Sequence, residues 1–456
     1  MAASNTLQSE VIVVGSGPGG ATVAREFARA GKRVLLLERG QDHRPRGYYG
    51  TYLGAIRYSD RGSLLFTEEG LNIIRPLMVG GATSMYCGCA APPPAWLKEK
   101  YGVDIETEVS ETMEELEIEP LPAGLRGEAS TRIAQAAQAL GYAWEPQLKF
   151  MKPARSRGSD RAQAFDCGAK CMLGCVCGAK WNAAEYVDQA VAAGCDLRTG
   201  ARVERVRVED GHIVGVEGRL NGKPFTALAG TVVLAAGGIG TPRILQSSHS
   251  AAFRQAGQGM AMDITVMVYG AIAGRGIGKE PPMTWSWENP EEGYMLSTLL
   301  DPWLLYPLIN TLKGPKYALT WPRWKNTLGV MIKLKDDVSG GVFPNGKISK
   351  PMTDHDRPRM RAAEEVCRRI LIEAGARPET IFTSPLRGTH PSGTVRIGAL
   401  VDENLQTEVQ GLYACDASVF PEALGRPTVL TIIGLGKRLA KICCKAETED
   451  PAHAFR

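Results

Sequence analysis

No run of apolar residues in this 456-residue chain reaches the roughly 18 needed to cross a bilayer, which predicts no transmembrane segment. The opening residues, MAASNTLQSE, are polar and lead straight into a short apolar run, so no secretory leader is expected. Charge of one sign is also scarce. With 53 Lys and Arg against 49 Asp and Glu, the formal net charge is only +4. No basic run stands out, so a nucleic-acid partner is not expected. The 11 cysteines are an odd number with no secretory signal, which argues for free thiols or metal ligands rather than a disulfide framework. These absences together predict a cytoplasmic protein. A hydrophobic content of 44% and a charged content of 22% are ordinary for a globular chain long enough for two or three domains' worth of core.

What is present is concentrated first in Val11–Gly40, VIVVGSGPGGATVAREFARAGKRVLLLERG. Val11–Val14 reads as a buried parallel strand, and Gly15, Gly17 and Gly20 follow in the spacing G-x-G-x-x-G. A helical stretch and a second apolar run, Val34–Leu37, come next and end at Glu38. The glycines suit a tight turn, close approach of backbone to a pyrophosphate, and close helix–strand contact. The helix start presents free N–H groups and a positive dipole end to phosphate. A carboxylate at 38 suits ribose hydroxyls. This pattern predicts a dinucleotide site and leaves FAD and NAD both open.

Further along, Gly80-Gly81 permits another close approach to a ligand, and three prolines at 92–94 mark an exit from the first domain. Residues 103–160 read as a polar helical insertion. Residues 196–236 alternate as strands, with turn signals at Asp210-Gly211 and Asn221-Gly222 that suit hairpins. Thr231–Ala236 is another apolar strand, before Gly237-Gly238. Trp285, Trp287, Trp303, Trp321 and Trp324 are expected mainly as core of a β-rich domain, some of them lining an apolar pocket. Tyr294–Leu312, apolar but broken by Asp301, Pro302 and Pro307, is a candidate lid or membrane-contact surface. Asp356–Ala374 and Leu430–Ile442 are predicted helices, and Leu412–Cys415 a short strand.

Four separated stretches share one pattern: GSGPGG with Glu38, VGGATSMY at 79–86, TVVLAAGGIGTPRIL at 231–245, and THPSGTVRIG with GLYACDASVFPEALGRPTVLTIIGLGKRLA near the end. Together they resemble the glucose–methanol–choline (GMC) family of FAD-dependent oxidoreductases. The resemblance implies an α/β fold: a doubly wound, Rossmann-like FAD-binding domain and a smaller sheet-based substrate domain. The FAD-binding domain would comprise 1–95, 161–258 and 386–456; the substrate domain and insertions would comprise 96–160 and 259–385. It also implies non-covalent FAD, since Met85 stands at the turn where some members carry a flavin-linked histidine. By the same resemblance Gly15, Gly17, Gly20, Glu38 and Arg39 would hold the ADP half, with Val203 at the adenine. Gly80, Gly81, Thr83, Ala236, Asp416, Thr428 and Thr431 would line the pyrophosphate and flavin regions. His390 matches the active-site histidine that takes an alcohol proton while hydride passes to flavin N5.

The family's second His or Asn falls at Pro427, which has neither a side-chain donor nor an N–H. Arg426 is the better placed substitute and His355 a weak one. The family's frequent Asn is Tyr86 here. Cys167, Cys171, Cys175 and Cys177 fall within eleven residues and could hold an iron–sulfur cluster, unmetallated thiols, or zinc. Cys87 and Cys89 read most simply as small buried residues. The expected function is thus a dehydrogenase acting on a C–OH group of a hydrophobic small-molecule substrate. Electrons would leave, through the cluster if present, to an external quinone, cytochrome or electron-transfer protein. Carbon–carbon desaturation, reduction or isomerisation, and pure electron transfer, are the alternatives.

Overall fold

The computed structural model describes residues 5–155 and 170–449. Val11–Val14 (β1) and Val34–Glu38 (β2) are adjacent parallel strands, buried at every residue, with Pro18–Arg29 (α1) between them. Glu106–Glu115 (α2), Asp196–Thr199 (β3), Thr231–Leu234 (β4) and Gly237–Ser247 (α3) follow. Then come Ile264–Ala271 (β5), Trp285–Asn289 (β6), Tyr294–Thr298 (β7) and Thr327–Leu334 (β8). Asp356–Glu373 (α4), Leu412–Ala414 (β9) and Val429–Glu449 (α5) complete the set that builds the site.

The first layer is a five-stranded sheet in the order β9-β4-β1-β2-β3, parallel throughout. From β1 the chain winds first towards β3, then restarts on the other side at β4. Such a switch point opens a crevice at the carboxyl ends of the strands. A separate four-stranded sheet carries the expected hairpins. Its turns hold Asp210 and Gly211 at φ 49° and 78°, and Asn221 and Gly222 at φ 50° and 83°. Two positive φ angles in succession define the hairpin turn whose twist matches its strands, and Asx-Gly is the pair that adopts it with least strain.

The second layer is a nine-stranded sheet with β6-β7-β8-β5 antiparallel at its centre. β5 and β8 are buried along their whole length because α4 covers them. The buried residues of α4, Met360, Ala363, Val366, Cys367, Ile370 and Leu371, fall on one helical stripe.

Two expectations change. The segment 96–160 is not one insertion into the substrate domain. Val103, Ile105, Val109, Leu116 and Ile118 join the core of the parallel sheet, whereas Ile133, Ala134, Ala137 and Trp144 join the core of the large sheet. Nor is Tyr294–Leu312 a single lid, because Tyr294–Thr298 is the fully buried β7. Beyond it, Trp303, Leu308 on the short helix Leu305–Thr311, and Leu312 are exposed apolar side chains. No helix among the described residues is long and apolar enough to cross a membrane. Of the tryptophans, Trp324 is buried and donates to the Asp301 carbonyl at 2.9 Å, Trp285, Trp287 and Trp321 pack against the core, and Trp303 is exposed.

One buried ion cluster ties the first layer together. Arg25 on α1 is 1% exposed and pairs with Glu115 on α2, which also accepts from Lys437 on α5 at 3.0 Å. Burial raises the Glu115 carboxyl, but the Arg25 and Lys437 hydrogen bonds outweigh it and hold the group at about 2. Its folded pKa lies below its unfolded value. The stabilisation is therefore complete above about pH 4.5 and is lost as pH falls towards 2. Glu115→Gln leaves Arg25 buried beside a neutral amide and is expected to cost about 3 kcal/mol, read as a lower urea midpoint near pH 7.

Candidate active site

The turn after β1 is built by backbone crowding. Gly15 sits at φ +100°, and a Cβ there would lie 2.4 Å from the Ala235 carbonyl oxygen. A Cβ on Gly20 would lie 1.9 Å from the Gly15 oxygen, so this glycine lets α1 pack on its own strand. Gly19, which the triplet pattern does not name, is equally constrained: its Cβ would sit 1.9 Å from the Cys415 oxygen. The second glycine turn crosses the first, with a Gly81 Cβ position 2.9 Å from Gly17 Cα.

At this crossing a cavity of about 700 Å³ opens at the carboxyl ends of the parallel strands. One end is bordered by Glu38, Arg39 and Val203, the middle by Gly15, Gly17, Gly81 and Ala236, and His390, Asp416 and Thr428 also face it. The structure therefore brings together on one cavity residues spread over more than four hundred positions. Gly20, Gly80, Thr83, Thr431 and Arg426 do not line it.

Several expected ligand contacts are architectural. Glu38 Oε2 accepts from Ser16 N at 3.0 Å and from Ser16 Oγ at 2.6 Å, while Oε1 accepts from Gly40 N at 2.7 Å. The carboxylate fastens the glycine turn to the end of β2, with lone pairs left for a ribose. Asp416 accepts from Gly237 N at 2.8 Å and Thr241 Oγ1 at 2.5 Å, fixing the start of α3. Thr83 donates to the Gly80 carbonyl at 2.6 Å and accepts from Ala183 N at 2.9 Å, so its hydroxyl is committed to the turn. Thr431, at 0% exposure, is buried in the first turn of α5, and its hydroxyl has no hydrogen-bond partner among the described residues.

His390 follows the short strand Arg387–Gly388, which pairs with β5. Its backbone N–H donates to the Met262 carbonyl at 2.8 Å, and its Nδ1 lies 2.6 Å from Asp263 Oδ2. The other Asp263 oxygen accepts from Gly425 N at 2.9 Å. The Asp263 carboxylate accepts a hydrogen bond from Nδ1–H, which leaves Nε2 as the free acceptor. Burial pushes the imidazole below its ordinary value, Lys333 pushes it the same way, and Asp263 opposes both. A neutral imidazole with a bare Nε2 is a general base.

Sequence reasoning missed Asp263. It holds a strained φ of 47° ahead of β5. Asp336 secures it there, accepting from Met262 N and Ile264 N on either side, each at 3.1 Å. Asp336 is itself paired with Lys350 at 2.7 Å, both side chains 0% exposed.

Arg426 is not offered to a substrate. Its guanidinium is bound by Glu288 at 2.6 Å and by the Pro92 carbonyl at 3.3 Å. His355 is exposed at the start of α4, beside Asp337 at 3.1 Å.

Cys167 lies outside the described residues. Cys171 is buried with Leu121 and Met151, while Cys175 and Cys177 face each other at 3.4 Å. The Cys177 hydrogen bond pulls the Cys175 thiol down to about 5. The ligand atoms of Asp337, His355 and Asp356 lie within 4.8 Å of one another, but among the described residues no such group includes a cysteine. Those three thiols therefore form no cluster cradle, and the iron–sulfur expectation gains no support from them. Arg359 already neutralises the acidic group with a 2.7 Å contact to Asp356. Cys87 and Cys89 are thiols that burial pushes up, as small core residues would be.

A doubly wound sheet, a glycine turn at its switch point and a carboxylate-oriented histidine on the same cavity define a dinucleotide-dependent oxidoreductase. Residues 58–264 and 344–436 match the two GMC oxidoreductase family models, and residues 13–68 match an NAD(P)-binding Rossmann-like domain. The chain belongs to the GMC oxidoreductase family. It is 25% identical to an uncharacterized GMC-type oxidoreductase of Mycobacterium tuberculosis over 95% of this chain and 75% of that one. It is 23% identical to an Arabidopsis thaliana long-chain-alcohol oxidase over 93% of this chain and 66% of that one. Pyridoxine 4-oxidase from Mesorbium loti has the same fold at TM-score 0.70 and 14% identity, covering 96% of this chain and 99% of that one.

Proposed function

We propose that this protein binds FAD non-covalently and oxidises a C–OH group of a hydrophobic small-molecule alcohol, with His390 as the base. The observation that carries this reading is His390 on the cavity that the glycine turns build, with Asp263 2.6 Å from its Nδ1. The long-chain-alcohol oxidase among its relatives supports an alcohol as substrate.

The cavity fits FAD as an extended dinucleotide. Gly15–Pro18 and the start of α1 would meet the pyrophosphate. Glu38, Arg39 and Val203 would meet the adenosine, and Thr428 and Val429, at the start of α5, the flavin. When bound, FAD supplies the two-electron acceptor for hydride leaving the substrate carbon. The chain itself handles the proton. Asp263 fixes the imidazole, and Nε2 takes the proton from the substrate hydroxyl. An external acceptor receives the electrons, and no iron–sulfur relay enters this reading.

The test is anaerobic mixing of FAD-loaded protein with a long-chain primary alcohol, followed through the flavin's visible absorbance. Bleaching, and turnover with a quinone analogue, are expected. A protein that takes up no FAD, or is bleached only by substrates that form a carbon–carbon double bond, overturns the reading.

A further inference from the structure

Almost every deeply buried cation has an evident partner. Arg25 and Lys437 share Glu115, and Lys350 pairs with Asp336. Lys180 donates to the Ser84, Tyr86 and Cys171 carbonyls. Lys149 donates to the Cys87 and Pro282 carbonyls at 2.8 Å and to Cys89 Sγ at 3.1 Å. Lys333, 2% exposed, is the exception, with neither a hydrogen bond nor an ion pair among the described residues. An ammonium taken from water without an acceptor is costly, so such a group marks a place where a ligand oxygen completes the shell.

Its location gives that ligand an identity. Lys333 lies on β8 directly opposite Thr265 on β5. Opposed residues of an antiparallel pair share a face. Thr265 Oγ1 in turn lies 2.6 Å from Thr389 Oγ1, the residue before His390, and Thr265 is two residues after Asp263. Burial lowers the Lys333 pKa, and the charged or titratable groups that counter it are Asp263, Cys87, Cys89 and Asp336. None is free to partner it. Both Asp263 oxygens are engaged with His390 and Gly425, Asp336 belongs to Lys350, and the two thiols are raised by burial.

We propose that Lys333 is the second group that grips the substrate oxygen, supplying from β8 what Pro427 cannot, so that the hydroxyl sits between the Lys333 ammonium and His390 Nε2. This rests on the alcohol-oxidation reading above. In the step, the O–H bond breaks, its proton goes to Nε2, and the electron pair stays on oxygen. Lys333 keeps its own protons and stabilises the negative charge that develops. The same cation selects the substrate class. A neutral alcohol is accepted, a protonated amine is repelled, and a small carboxylate is held as an alkoxide mimic.

The test uses FAD-loaded Lys333→Met and Lys333→Arg proteins. In each, acetate affinity is measured by flavin absorbance, and alcohol-driven flavin reduction is measured against pH. Lys333→Met is expected to weaken acetate at least about tenfold and slow reduction about 100-fold. Its acid limb should move to higher pH, because the Lys333 charge that holds His390 down is gone. Its alkaline limb should vanish, whereas the unsubstituted enzyme loses rate as Lys333 deprotonates below its ordinary 10.5. Lys333→Arg should restore acetate binding to within a few-fold and carry the alkaline limb out of range. An unchanged acetate affinity and an unmoved acid limb in Lys333→Met would overturn the proposal. If that variant does not fold, an alkaline limb persisting in Lys333→Arg overturns it instead. Should no alcohol bleach the flavin of the unsubstituted enzyme, it is the alcohol reading that fails, and acetate affinity still decides the role of Lys333.

Discussion

His390→Asn slows alcohol-driven flavin reduction by about 10³-fold, with FAD affinity unchanged within a few-fold. The size follows from the geometry. Asparagine keeps a donor and an acceptor near Asp263 but has no group that can take the substrate proton. Asp263→Asn should approach the same loss with the imidazole still present, because an amide no longer enforces the tautomer that leaves Nε2 bare. The sign of the acid limb is fixed too. Burial and Lys333 both push His390 below 6.5, so the rate should hold through neutrality and, on the acid side, fall only as pH drops below that value. Stopped-flow flavin bleaching across pH measures both effects. A rate that stays within tenfold of the unsubstituted enzyme removes His390 from the chemistry.

The second large effect concerns stability and site geometry together. Asp336→Ala leaves Lys350 charged, buried and without its carboxylate, and strips Met262 N and Ile264 N of their acceptor. Breaking a buried pair by removing one member costs about 3–5 kcal/mol, measurable as a fall in the denaturant midpoint. The double change Asp336→Leu with Lys350→Met should recover much of that loss, since apolar residues of similar volume tolerate the site. It should not recover activity, because the backbone flanking Asp263 has still lost its anchor and Asp263 is held at φ 47°. Full activity in the double variant would show that Asp263 needs no such support.

The local parts of this molecule are legible without a structure. The β1–α1–β2 unit is complete within thirty residues, and Gly20 meets Gly15 only five positions away, although Gly15 and Gly19 meet the distant Ala235 and Cys415. The hairpin turns at 210–211 and 221–222 follow from two-residue Asx-Gly chemistry, and α4 from its apolar stripe. His390 came from a motif resemblance, which names a residue but not its partner. Asp263 lies 127 residues before it and carries no local signature. Arg426 sits beside the anomalous Pro427 in sequence, yet its side chain turns to Glu288, an acid donated by a different strand. Lys333 is one of many lysines until β8 is set against β5.

The sequence by itself determined a dinucleotide turn, its strand–helix–strand frame and the histidine, because turn chemistry and hydrophobic period act between near neighbours. Only the tertiary structure decided which polar groups share a desolvated space. That depends on strand register and on burial from several layers at once, and those conditions left Asp263 holding an imidazole and Lys333 without a partner among the described residues.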